Sequence, residues 1–120
     1  MKDKINLDTK LATFSEPFQP RTVAQFNNND VMVAKLQGPF IWHKHDDTDD
    51  FFLVLNGQLT IQLRDRDVVL GPGELFVVPR GVEHCPRSDG GAELLLIEPF
   101  GTVNTGDAAP SELTAPERRL

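Results

Sequence analysis

The sequence predicts an all-β domain, a sandwich or a closed barrel. Two observations carry this. Short β-type runs recur at roughly 8–12-residue spacing, divided by Gly, Pro, Asn and Asp turns. Helical periodicity is confined to one stretch near the N-terminus, where Leu7, Leu11 and Phe14 share a face and Asn6 can cap, predicting a short helix over 7–14.

The elements follow in order. Pro17 and Pro20 close the helix. A run over 22–26 precedes the turn cluster Asn27-Asn28-Asn29-Asp30, and a second run covers 31–36, ending at Gly38-Pro39. Residues 40–45 form the next run, followed by a loop of carboxylates. Residues 51–55 are continuously apolar, as in a strand buried on both faces. Asn56-Gly57 is a strong hairpin signal. The run that follows, 58–64, alternates cleanly, with Leu59, Ile61 and Leu63 on one face. Runs at 68–70, 75–78, 84–87 and 92–98 complete the pattern, the last two separated by a turn at Ser88-Asp89-Gly90-Gly91. The expected organisation is one domain over 1–120, with a barrel core of about 21–100 and an irregular tail over 101–120. Within that tail, Pro110 and Pro116 break any period, so it is expected to be loosely attached or to lie along the surface.

Composition narrows the class. The chain has 120 residues, of which 39% are hydrophobic and 25% charged, enough for one packed core. The single cysteine, Cys85, excludes an internal disulfide. Twelve basic against 18 acidic side chains give a formal charge of −6. Such a balance argues against nucleic-acid or anionic-membrane partners, the only basic cluster being Arg118-Arg119. The first residues lack a hydrophobic signal core, so the expected location is cytoplasmic.

The chemistry concentrates on three histidines. His43 and His45 are two apart in a run of β character, so both imidazoles point to one face. Asp50 opens the apolar run 51–55, in step with Phe52 and Val54. His84 follows the Pro79-Arg80-Gly81 turn. If the runs around 76–78 and 84–87 lie beside the first two, three imidazoles and a carboxylate converge. That donor set suits a divalent transition metal, Fe, Mn, Ni, Zn or Cu, with open positions for water or substrate.

The spacing of these residues resembles the two motifs of the cupin superfamily. The first appears as Gly38, His43, His45, Asp50 and Gly57, with four residues instead of five between Gly38 and His43. The second appears as Gly73, Pro79, Gly81 and His84, with Ser88 where asparagine is usual. The texture is similar to small single-domain cupins of the mannose-6-phosphate-isomerase-like group, a likeness that does not bring isomerase activity with it. The resemblance implies a double-stranded β-helix (jelly-roll barrel), pairing of two copies into a homodimer, and one metal held by His43, His45, Asp50 and His84. Asp50 stands where glutamate is usual and is one methylene shorter. Either the backbone moves in, a water bridges, or the carboxylate supports a three-histidine site from behind. Asp49 has the opposite parity and is expected to cap the loop or face solvent. Cys85 is expected to be a buried structural thiol, Trp42 a packing or interface residue, and Arg64, Arg80 and Arg87 solvated charges.

The functional expectation is a metal-binding cupin acting on a small organic molecule by dioxygenase, isomerase or lyase chemistry. The alternative is a non-catalytic small-molecule-binding module.

Overall fold

A computed structural model describes residues 3–109, 111 and 113–115. Pro110, Pro116 and the Arg118-Arg119 pair lie outside the described residues. The architecture is all-β with one short helix. In order, the elements are α1 (Leu7–Leu11), β1 (Arg21–Phe26), β2 (Asn29–Pro39), β3 (Asp50–Gly57), β4 (Leu59–Leu63), β5 (Asp67–Leu70), β6 (Leu75–Val78) and β7 (His84–Pro99). Asn6 caps α1, its side chain accepting from the Thr9 amide at 2.9 Å. The helix is shorter than the apolar spacing suggests because Thr13 and Phe14 leave it at Ala12.

All strand pairs are antiparallel. The path runs β1-β2-β7-β3-β6, and β4 joins β5 and β7. The 16-residue β7 links the two halves of the barrel. β2 pairs with it from Arg87 to Pro99, while β4 pairs with its first part and β3 with its second. The sequence reading divided this strand in two at residues 88–91. The chain instead bends without reversing, because Gly91 takes a φ of +92° and Gln37 holds the Asp89 carbonyl at 3.0 Å.

Asn56-Gly57 is also not a hairpin. β3 and β4 do not pair with each other, and the chain crosses between the halves there. Gly57 has a φ of +82°, and a Cβ on it would lie 2.2 Å from the Gly91 carbonyl oxygen. Ser88, buried, donates to the Gln58 carbonyl at 2.7 Å and fixes the crossing. The hairpins that do form join β1 to β2 across Asn27-Asn28 and β4 to β5 across residues 64–66.

Strand parity divides two apolar clusters. Ala34, Leu36, Phe52, Val54, Leu59, Ile61 and Leu94 fill the barrel. Leu11 and Phe14 cover Val23 and Val33 on the outer face, with Leu55 and Leu95 beside them. The run 51–55 is therefore fully buried on one face only. On its other face Phe51 and Leu53 are half-buried, and their β6 partners Val77 and Leu75 are exposed.

The tail past Pro99 is irregular, as expected, but its described part is docked. Thr105 is fully buried. Asn104 donates to the Phe18 carbonyl at 3.2 Å and accepts from the Ala115 amide at 2.8 Å. Asp107 accepts from the Lys44 amide at 2.8 Å and returns its own amide to the Lys44 carbonyl at 3.0 Å. Such side-chain-to-backbone contacts hold a segment with no period of its own against the rest of the chain.

Candidate metal centre

The residues 40–45 do not form the expected strand. They make a single bridge, in which His43 and His84 exchange both backbone hydrogen bonds, at 3.0 and 2.9 Å. This bridge joins the first histidine motif directly to the second. The Gly81 amide, at the turn before His84, donates to the His45 carbonyl at 2.8 Å and fixes the other end. Asp50 is brought in by β3, paired with Val78.

The four side chains converge. His43, His45, Asp50 and His84 are all buried, and each offers a donor atom within 4.8 Å of the others. His43 Nδ1 lies 3.0 Å from the Ile41 carbonyl oxygen, and His84 Nδ1 lies 2.9 Å from that of Val82. A carbonyl only accepts, so both Nδ1 atoms carry a proton, and each ring, when neutral, presents its Nε2 lone pair to the cluster. His84 Nε2 is 2.8 Å from Asp50 Oδ2, and His45 Nε2 is 3.2 Å from the same oxygen. A lone pair this close to a carboxylate oxygen is repulsive unless a proton or metal ion lies between them. The donor set fits a metal on these grounds.

Electrostatics agree. Burial, with the neighbouring His84 and His45, lowers the His43 pKa to about 4, which keeps the imidazole neutral and able to ligate. Burial opposes ionisation of Asp50, but the hydrogen bond with the Glu98 carboxyl and the close approach of His45 and His84 outweigh it and hold the carboxyl below the ordinary range.

Glu98 was not singled out from the sequence. It is 6% exposed and lies on the inward side of β7, in step with Ala92, Leu94 and Leu96. That alternation was the available signal. As an ionised carboxylate, it would leave Oε2 buried with no hydrogen-bond partner. Burial first, then the hydrogen bond with Asp50 and the charge of Asp50, push its carboxyl up to about 11. At neutral pH it is a carboxylic acid donating to Asp50. Asp30, directly across from Glu98 on β2, is also buried.

His43, His45, Asp50, Asp30 and Glu98 face a cavity of about 260 Å³, walled by Phe18, Met32, Phe40, Phe52, Leu94 and Leu96. The tail supplies its outer wall through residues 101–104 and Ala115.

The other singled-out residues lie elsewhere. Asp49 caps the loop as expected, accepting from the Arg80 amide at 2.9 Å. Cys85 is buried, and burial pushes its thiol pKa up, as befits an inert structural cysteine. Trp42 and Arg64 find each other, the guanidinium 3.7 Å from the ring centroid. Arg80 and Arg87 pair with Asp49 and Asp89.

The sequence pattern of the cupin domain matches residues 31–100. The chain belongs to the cupin family. This cupin is 34% identical over 68 residues to the uncharacterized protein YdbB of Bacillus subtilis, covering 56% of the chain and 60% of that protein. It is 33% identical over 95 residues to a 3-hydroxyanthranilate 3,4-dioxygenase of Brucella anthropi, covering 69% of the chain and 50% of that enzyme. The cupin thus spans about half to three-fifths of the length of these relatives. Among solved structures it is similar to a cupin-2 domain containing protein from Shewanella frigidimarina, with a TM-score of 0.78 and 39% identity over 79% of the cupin and 93% of that chain. It is also similar to protein NMB1881 from Neisseria meningitidis, with a TM-score of 0.74 and 33% identity over 81% and 99% of the two chains.

Proposed function

We propose that this cupin binds one divalent transition metal through His43, His45, Asp50 and His84 and acts on a small organic molecule held in the adjoining cavity. The observation that carries the reading is the approach of two imidazole Nε2 atoms to one Asp50 oxygen inside a buried pocket. Bound there, the metal would supply Lewis acidity or, if redox-active, activation of O₂. The protein residues do the rest. The Ile41 and Val82 carbonyls orient His43 and His84, the apolar walls exclude water, and Glu98 holds a proton beside Asp50. Oxygenation is favoured over isomerisation or lyase chemistry by the similarity to a dioxygenase, and the metal's identity decides among them. The likeness to the mannose-6-phosphate-isomerase-like group is kept as a matter of size and texture.

The test is elemental analysis of protein purified without an affinity tag, followed by oxygen-consumption and isomerisation screens on metal-loaded samples. One equivalent of iron, manganese, nickel or copper with O₂ uptake supports oxygenation. Ligand binding without any metal supports the non-catalytic module.

We also infer a homodimer built on the exposed apolar strip of β3 and β6, and a cytoplasmic location. Among the described residues, no helix is long and apolar enough to cross a membrane.

A further inference from the structure

The cavity also limits the charge of what it holds. Its lining includes no lysine or arginine among the described residues, yet three of its inward side chains are Asp30, Asp50 and Glu98, each buried. An anion entering the cavity would meet these three acidic side chains and no cationic side chain to hold it. The remaining wall is mostly apolar, with Phe18 and Phe40 stacked at 5.0 Å and Phe52 among its members, and it carries the neutral polar side chains of Thr22, Thr102 and Asn104. Its volume, about 260 Å³, exceeds the ~150 Å³ of an engineered apolar cavity that admits benzene, leaving room for a ring with one or two substituents.

We propose that the cavity selects an uncharged, ring-sized apolar molecule bearing a hydroxyl or amine donor, which Asp30 and Glu98 accept, and that it rejects carboxylates and phosphates. This rests on the proposed function for the metal's presence, but the charge rule follows from the cavity lining.

Phenol, benzoate and phenyl phosphate share a ring and differ in charge. Their binding to the full chain can be measured by calorimetry or ligand-observed NMR, with and without zinc, and zinc content determined on the same samples. Phenol should bind at least about tenfold more tightly than either anion, in both forms. Asp30→Asn should improve benzoate binding about fivefold or more while leaving the melting temperature nearly unchanged. Met32→Lys, which places a cation in the wall, should do the same if Asp30→Asn does not fold. Benzoate or phenyl phosphate binding to the wild-type chain as tightly as phenol overturns the proposal, as does absence of phenol binding. Failure to take up zinc overturns the metal reading, while the probe ranking on the metal-free chain still decides the charge rule.

Discussion

Removing the Asp50 carboxylate tests whether it ligates directly or supports the histidines from behind. Metal–nitrogen and metal–oxygen bonds of about 2.0–2.2 Å put neighbouring donors at right angles about 2.8–3.1 Å apart. Asp50 Oδ2 lies 2.8 Å from His84 Nε2 and 3.2 Å from His45 Nε2. These separations match neighbouring donors of one coordination shell and support direct ligation, with β3, which begins at Asp50, supplying the reach that the shorter side chain lacks. Losses from groups behind the ligands are typically ~10–100-fold in affinity. Asp50→Ala should therefore weaken zinc or cobalt binding by about 100-fold or more, measured by competition with a chromogenic chelator. Asp50→Glu adds a carbon–carbon bond of about 1.5 Å, crowds the carboxylate against His45 and His84, and should lower affinity. A loss below about tenfold for Asp50→Ala, or a gain for Asp50→Glu, would refute direct ligation and return the site to three histidines.

Three further outcomes are expected. Leu59 is fully buried in the barrel cluster, so Leu59→Ala should cost about 2–5 kcal/mol and lower the melting temperature by about 10 °C or more in calorimetry. Gly106 has a φ of +57°, and a Cβ there would lie 2.3 Å from the Lys44 carbonyl oxygen and 2.9 Å from His43 Cδ2; Gly106→Ala should loosen the tail, seen as faster proteolysis and hydrogen exchange at residues 101–109 than in the wild type. Val77 is 40% exposed on the apolar strip, and Val77→Lys should turn a dimeric mass in light scattering at micromolar concentration into a monomeric one. A wild-type chain that is already monomeric would remove the homodimer.

Much of the fold was legible because period-2 alternation is local and unambiguous, as at Leu59, Ile61 and Leu63. Asn56-Gly57 misled because a positive-φ glycine serves equally for a tight turn and for a strand changing sheets. Only the partners of β3 and β4 distinguish the two. The run at 84–87 and that at 92–98 read as separate strands because Gly90-Gly91 punctuates them, and the bend depends on Gly57 and Gln37, 34 and 54 positions upstream of Gly91. His43, His45, Asp50 and His84 stood out because the chain has just three histidines and the pair spacing sets a common face. Glu98 did not, since a glutamate beside Pro99 reads as a solvated strand end. Its role comes from inward parity combined with the approach to Asp50, and the second of these is not local in sequence.

The tail changes how the site is built. Asp107 takes both backbone groups of Lys44, the residue between His43 and His45, and Gly106 approaches the His43 ring. Asn104, three residues earlier, ties Phe18 and Ala115 together at the cavity's outer wall. One irregular segment therefore contacts the backbone that aims two histidines and forms part of the cavity wall. The loop 40–49 has only one bridge of its own, His43 with His84, so its position depends on this added support more than a strand in a ladder would. A change that displaces residues 104–107 is expected to alter the metal centre and the cavity together, although no residue of that segment belongs to the histidine cluster. The barrel sets where Asp50 and His84 stand; the tail, through Lys44, helps to set where His43 and His45 stand.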